Sequence, residues 1–214
     1  MKQKRRLGRP PKADGHDRRE KILRVALDLF SQQGFEATSI RQIAREVEIS
    51  DPALYSHFKN KQEMLEDLFE MHGPKAVHSA IDSLDLEGAM KSPRKFAEDA
   101  LGRLAERWFV PAENKFFRLM LIENLTGNIP ETLTLETVQK PMRDRLTSLA
   151  HWLVKTGVAI KVNPEWMVLQ FMAPITAIRT EIAMNPSRHT LHSVQRRLQN
   201  HLNQFIAVFL PRLK

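Results

Sequence analysis

The sequence predicts an all-α protein, with a small N-terminal helix-turn-helix head, a connecting helix and a larger helical body. Three observations carry that reading. Apolar residues recur three and four apart through most of the 214 residues, which is helical spacing. Strand-like alternation is absent. Between Thr38 and Leu65 two short helical patterns meet at a tight break, the sequence form of a helix-turn-helix.

The elements follow from their punctuation. Met1 to Gly15 is basic, rich in Pro and Gly and poor in large apolar residues, so it reads as a flexible arm. Asp17 can cap a first helix reaching Gln33, with Gly34 as its stop. Ile22, Ala26, Leu29 and Phe30 form its inner stripe. Thr38 or Ser39 caps a second helix, in which Ile40, Ile43, Ala44 and Val47 share one face. After the break at Glu48-Ile49-Ser50, Ser50 or Asp51 caps a third. Pro52 falls in its first turn, where a missing N–H costs nothing. Asn60 can cap a fourth helix carrying Met64, Leu65, Leu68 and Phe69, broken or kinked at Gly73-Pro74.

Further helices are expected from about Pro93 to Phe109, Glu113 to Asn124, Glu131 to Thr156, Pro164 to Met184 and His189 to Leu210, with a loop at Gly127 to Pro130. The organisation read from this is an arm over residues 1–16, a helix-turn-helix domain over 17–60, a connecting helix over 61–73 and a helical body over 74–214.

Composition narrows the chemistry. The formal net charge is +8, which makes nucleic acid a candidate partner. The charge is unevenly spread. Residues 1–24 hold ten Lys/Arg against three Asp/Glu (+7), residues 25–70 four against nine (−5), and residues 71–214 nineteen against thirteen (+6). With no Cys, disulfides, thiolate catalysis and Cys-ligated zinc are excluded. Met1 to Arg24 is charged throughout, so no secretory leader is expected there. The longest apolar-rich run, Trp166 to Ile178, is too short to cross a bilayer. A cytoplasmic bacterial location without membrane contact is the expectation.

The arm reads either as a solvated tail or as a DNA anchor. Gly8-Arg9-Pro10 resembles the core of an AT-hook, in which an extended arginine enters the narrow minor groove of A·T-rich DNA. The flanking Lys and Arg would neutralise phosphates and release counterions.

Residues from about Arg18 to Phe69 resemble the DNA-binding domain of the TetR family of bacterial transcription regulators. Ile22-Leu23, Ala26, Leu29-Phe30, Gly34-Phe35, Thr38, Ile40, Ile43-Ala44 and Ser50 carry the resemblance. Its most specific part is Leu54-Tyr55-Ser56-His57-Phe58-Lys59-Asn60-Lys61. The resemblance implies that Thr38 and Arg41 meet phosphate at the start of the second helix. It places Ser50, Pro52 and Ala53 toward the groove, with Tyr55, His57 and Lys61 gripping the backbone on either side. Tyr55 and His57 could equally be packing residues. Two departures stand out. Glu48 occupies a turn position that is usually Gly, where a positive φ would strain it, and Pro52 replaces another frequent Gly. Asp51, Pro52 and Ala53 offer no bidentate base reader, so Arg41, Gln42, the arm and DNA shape are left to read sequence.

The family implies a C-terminal domain that dimerises and binds a small ligand. Met172-Ala173-Pro174-Ile175 resembles the penultimate helix of many members. In the last helix Leu191, Val194, Leu198, Leu202, Phe205 and Phe209 make an apolar stripe that could pack on its own domain; beside the apolar Trp166–Ile178 run it is expected instead at a homodimer interface formed by the last two long helices. Candidate pocket residues are Trp108, Phe109, Phe116, Phe117, Met120, Trp152, Phe171 and Met172, with Glu123, Asn124, His151 or Arg179 as polar partners. For each of these apolar side chains ordinary core is the reading favoured over pocket wall. No catalytic residue, metal site or cofactor is expected: there is no phosphate-binding glycine loop and no nucleophile elbow. The expected function is a ligand-released repressor that binds a palindromic operator in double-stranded DNA as a homodimer. A regulator controlled by a protein partner, or an activator, is the alternative. A helical enzyme is the remote one.

Overall fold

The computed structural model describes residues 13–73, 92–127 and 134–213, and every regular element among them is helical. Helix α1 spans Ala13–Gln33, α2 Ile40–Val47, α3 Asp51–Tyr55 and α4 Lys61–His72. Helix α5 spans Pro93–Trp108, α6 Pro111–Thr126, α7 Leu135–Lys155, α8 Pro164–Met184 and α9 Leu191–Phe209. Single 3₁₀ turns occupy Pro186–Arg188 and Pro211–Leu213. The chain divides into two units between Leu68 and Phe69, within α4.

The first unit is built on a small apolar core. Ile22, Ala26, Leu27 and Phe30 of α1 are buried with Ile43, Ala44 and Val47 of α2, Leu54 of α3, Phe58, and Met64, Leu65 and Leu68 of α4. Each of these side chains larger than Ala contributes about 1.5–3 kcal/mol relative to exposure. Leu29 of the expected inner stripe is only half-buried, and Leu27 takes the inner position instead. The α1–α2 connection turns at Gly34 (φ 89°), whose N–H closes on the Phe30 carbonyl at 2.9 Å. Phe35 then meets Phe30 edge to face with centroids 5.2 Å apart.

Cap chemistry fixes the helix-turn-helix. Ser39, not Thr38, caps α2, in a capping box: its Oγ accepts from the Gln42 N–H at 3.2 Å, and Gln42 Oε1 accepts from the Ser39 N–H at 2.8 Å. Helix α2 ends at Glu48, which sits at φ 63°, ψ 44°, the left-handed region, while the Ile49 N–H returns to the Ala44 carbonyl at 3.0 Å. Ser50 caps α3, with Pro52 in the first turn.

The second unit packs α5, α7, α8 and α9 around a core holding Leu101, Ala105, Trp108, Leu153, Ile178, Ile182, Val194, Leu198, Leu202 and Ile206. Helix α7 starts at Leu135 under a Thr134 cap, with Thr134 Oγ1 accepting from the Thr137 N–H at 3.2 Å. The expected start near Glu131 lies outside the described residues, as do Pro74 and Asn128 to Pro130. Pro141 and Pro174 sit inside α7 and α8, each removing one helical N–H donor.

The α9 stripe is placed differently from the sequence expectation. Val194, Leu198, Leu202 and Phe209 are buried within their own unit, and Leu191 and Phe205 pack against the same core. A single chain thus covers Val194, Leu198, Leu202 and Phe209, while Leu191 and Phe205 keep part of their surface open. Exposed apolar surface lies instead at Trp166 (47%), Leu169 (58%) and Met184 (64%) of α8 and at Val208 (57%) of α9.

Candidate nucleic-acid interface

The exposed faces of α2 and α3 form the candidate interface. Arg41 projects from the first turn of α2, with its side chain 88% exposed and Nε 3.4 Å from Asp51 Oδ2. Ser50, Pro52 and Tyr55 are exposed, Tyr55 at 53%, while Ala53 and His57 are half-buried. Leu54 and Phe58, the apolar residues between them, point into the core. Tyr55 therefore offers a hydroxyl on a rigid arm at the surface, a geometry suited to phosphate. Ser50 Oγ accepts from the Ala53 N–H at 3.4 Å as the helix cap.

Two residues assigned to phosphate by resemblance are turned inward. Thr38 is 1% exposed; its hydroxyl donates to the Gly34 carbonyl at 2.8 Å and accepts from Gln33 Nε2 at 3.0 Å. Lys61 directs its ammonium at the α1–α2 loop, with the Phe35 carbonyl at 2.5 Å and the Thr38 carbonyl at 3.0 Å. Gln42 has its side-chain oxygen in the capping box, so its amide nitrogen alone stays available for reading a base. Arg9 and the rest of the arm lie outside the described residues.

A polar clamp that spacing did not reveal secures this surface. Arg19 of α1 donates from Nη2 to Asp67 Oδ2 at 2.7 Å and to Glu63 Oε1 at 3.1 Å, and from Nη1 to the His57 carbonyl. Its guanidinium lies 4.0 Å from the Phe58 ring centroid. Glu63 Oε2 also accepts from the Lys59 N–H at 2.7 Å. That bond, followed by the Arg19 contact, holds the Glu63 carboxyl below its ordinary pKa. Arg19 lies 38 to 48 positions from its partners, beyond any local pattern.

In the second unit the residues expected to line a pocket differ in depth. Trp108, Phe116, Met120 and Glu123 are buried; Phe109, Phe171 and Met172 are partly buried against the core that holds Trp108. Trp152 is 39% exposed. Asn124 is used structurally, donating to the Met120 carbonyl at 2.7 Å and accepting from the Leu135 N–H at 3.0 Å. His151 is exposed, 3.6 Å from Glu165. Phe171 meets Phe205 edge to face, with centroids 5.0 Å apart.

The strongest interior polar feature is Arg179. It is 6% exposed and donates to the Trp108 carbonyl at 3.3 Å and the Glu113 carbonyl at 2.8 Å, with the Phe117 ring centroid 4.6 Å away. Burial lowers its pKa to about 10, against the opposing pull of the Glu113 charge. Glu113 itself bonds Arg107 at 2.8 Å and approaches His72 Nδ1 at 3.5 Å. Burial alone would raise the Glu113 carboxyl, but His72 and Arg107 outweigh it and the pKa is lowered. No group of three or more His, Asp or Glu among the described residues could hold a metal ion.

A helix-turn-helix on a capped three-helix core, followed by a separate helical body, defines a two-unit all-α protein of the helix-turn-helix class. Comparison sharpens this. Residues 22–68 match the model of the bacterial regulatory proteins of the tetR family. Over 87 residues it is 37% identical to the HTH-type transcriptional regulator AcrR of Shigella flexneri, covering 41% of this chain and 38% of that one. Over 52 residues it is 42% identical to the class C tetracycline repressor protein of Escherichia coli, covering 24% of each. The chain thus spans well under half the length of these curated relatives. A TetR-like transcriptional regulator from Rhodococcus sp. RHA1 superposes with a TM-score of 0.65 and 25% identity, over 93% of this chain and 99% of that one.

Proposed function

We propose that the chain is a homodimeric DNA-binding transcription regulator, a repressor released from its operator by a small molecule. The observation that carries the reading is the exposed face of Arg41, Ser50, Pro52 and Tyr55 on a properly capped helix-turn-helix. The match over residues 22–68 supports it, and the name of the class C tetracycline repressor supports the sign of regulation. Two reading heads about one DNA turn apart would engage a pseudo-palindrome. Ligand in the helical body would favour a spacing of the heads that DNA cannot satisfy. This requires ligand to bind the DNA-incompetent state more tightly, because equal affinity for both states shifts nothing.

The dimer face proposed is the exposed apolar surface of α8 with Val208, in place of the buried α9 stripe. Leu169→Glu with Val208→Glu should give folded monomers, read by sedimentation, whereas Leu198→Glu should unfold the body.

Selection of bound duplexes from a random pool, followed by titration of Tyr55→Phe and Arg41→Ala, tests the function. An enriched pseudo-palindrome is expected. Tyr55→Phe should weaken all duplexes about equally, because a phosphate contact carries no base information. Failure to enrich any sequence would remove the reading.

A further inference from the structure

We propose that Lys61 is a positioning residue of the reading head, bracing the start of α2 from inside the protein, and is not a phosphate ligand. This rests on the DNA-binding reading only for its consequence; the brace itself belongs to the free chain.

Lys61 is the first residue of α4. Its Nζ donates to the Phe35 carbonyl at 2.5 Å and the Thr38 carbonyl at 3.0 Å, with the Glu36 carbonyl at 3.4 Å. It also lies 4.2 Å from the Phe35 ring centroid. An ammonium has three donors and no acceptor, so three carbonyls and an aromatic face use its capacity. These carbonyls belong to the loop that leads into the Ser39 cap. The Phe35 carbonyl already receives the Thr38 N–H at 3.2 Å, so the same oxygen joins the turn to the lysine. The loop residues Glu36 and Ala37 are exposed and bury nothing of their own. The charge supplied from α4 holds the Glu36 carbonyl and the carbonyls on either side of the pair, and Gln33 Nε2 donates to the Ala37 carbonyl at 3.5 Å. The Ser39–Gln42 box, and Arg41 between its partners, inherit their place from that loop. A phosphate would have to draw the ammonium out of all these contacts.

Replacement by Met keeps the stem and removes the donors. Replacement by Arg keeps the charge but puts a planar fork where a compact ammonium is surrounded. Arg is a fully competent phosphate ligand, so the two roles separate. Amide hydrogen exchange of Ile40 to Val47 in the full chain is the first readout, and the salt dependence of binding to a random-sequence duplex is the second. With Lys61→Met, exchange should quicken about tenfold or more. Duplex affinity should fall with the salt slope unchanged, and Lys61→Arg should rescue neither property. A slope reduced by about one unit in Lys61→Met and restored in Lys61→Arg would make Lys61 a phosphate ligand and overturn the proposal. Unaltered exchange in Lys61→Met would overturn it too. If the wild-type chain binds no duplex, the functional reading falls, and the exchange rates alone decide for or against the brace.

Discussion

Arg19 Nη2 and Asp67 Oδ2 lie 2.7 Å apart across 48 positions of sequence. The pair ties the first helix of the head to the fourth, and the same guanidinium covers Phe58. Exposed ion pairs are worth little alone. Here the charge also holds the His57 carbonyl at the end of the helix-turn-helix. Arg19→Ala should lower the stability of the head by about 1–2 kcal/mol. Urea unfolding of the full chain, followed by amide exchange in α3, measures it. A loss within a few tenths of wild type would reduce the clamp to a surface pair.

Glu48 should be a stabilising site. A side chain in the left-handed region costs roughly 1–2 kcal/mol, of which Gly returns part, the rest being offset by the greater freedom it gives the unfolded chain. Glu48→Gly at φ 63° should therefore stabilise by about 0.5–1 kcal/mol. Thermal unfolding reads the change; a destabilised Gly variant would mean that Glu48 makes a compensating contact.

Acid should loosen the second unit through Glu113. Its folded pKa lies below the ordinary value, so the ionised form is favoured on folding. That contribution is fully present above the unfolded carboxylate value near ~4.3 and is lost as pH falls through the lower folded value. Glu113→Gln should flatten the fall in stability across this window and cost stability at neutral pH. Denaturant midpoints from neutral pH down to about 3 test it. Parallel curves for variant and wild type would discard the assignment.

The arm can be separated from the head. Deleting Met1 to Lys12 removes six basic residues and stops short of α1. The salt slope of DNA binding should fall by roughly 0.9 for each phosphate that the arm had neutralised. Arg9→Ala alone should reduce any preference for A·T-rich flanks, because a neutralising tail is indifferent to flanking sequence. Binding to A·T-rich and G·C-rich flanks in the wild-type ratio would leave the arm a plain electrostatic anchor.

Local chemistry was readable where one residue decides it. Gly34, the Ser50 cap, Pro52 in a first turn and the strain at Glu48 each depend on a neighbour within four positions. The helical class was readable for the same reason. What escaped was which way a side chain turns when two faces compete for it. Lys61 sits in the family's motif, yet it bonds a loop more than twenty positions away. The α9 stripe from Val194 to Phe209 is equally apolar whether a second chain or its own body covers it, and periodicity cannot tell the two apart. The partial exposure of Trp152 was not legible either, because an aromatic on a helix states its size and not its depth.

Helix α2 has eight residues, below the roughly 12–15 at which an isolated helix becomes even marginal in water. It persists because it is docked on Ile43, Ala44 and Val47. Its recognition surface therefore has no existence apart from the core beneath it. On the proposed function, a substitution at Phe30 or Ile43 would silence the head as one at Arg41 would, although it leaves the outward face chemically intact. Loss-of-function screens on such a head would score its foundations and its contacts alike, and only variants shown to keep their fold can map the operator-facing residues.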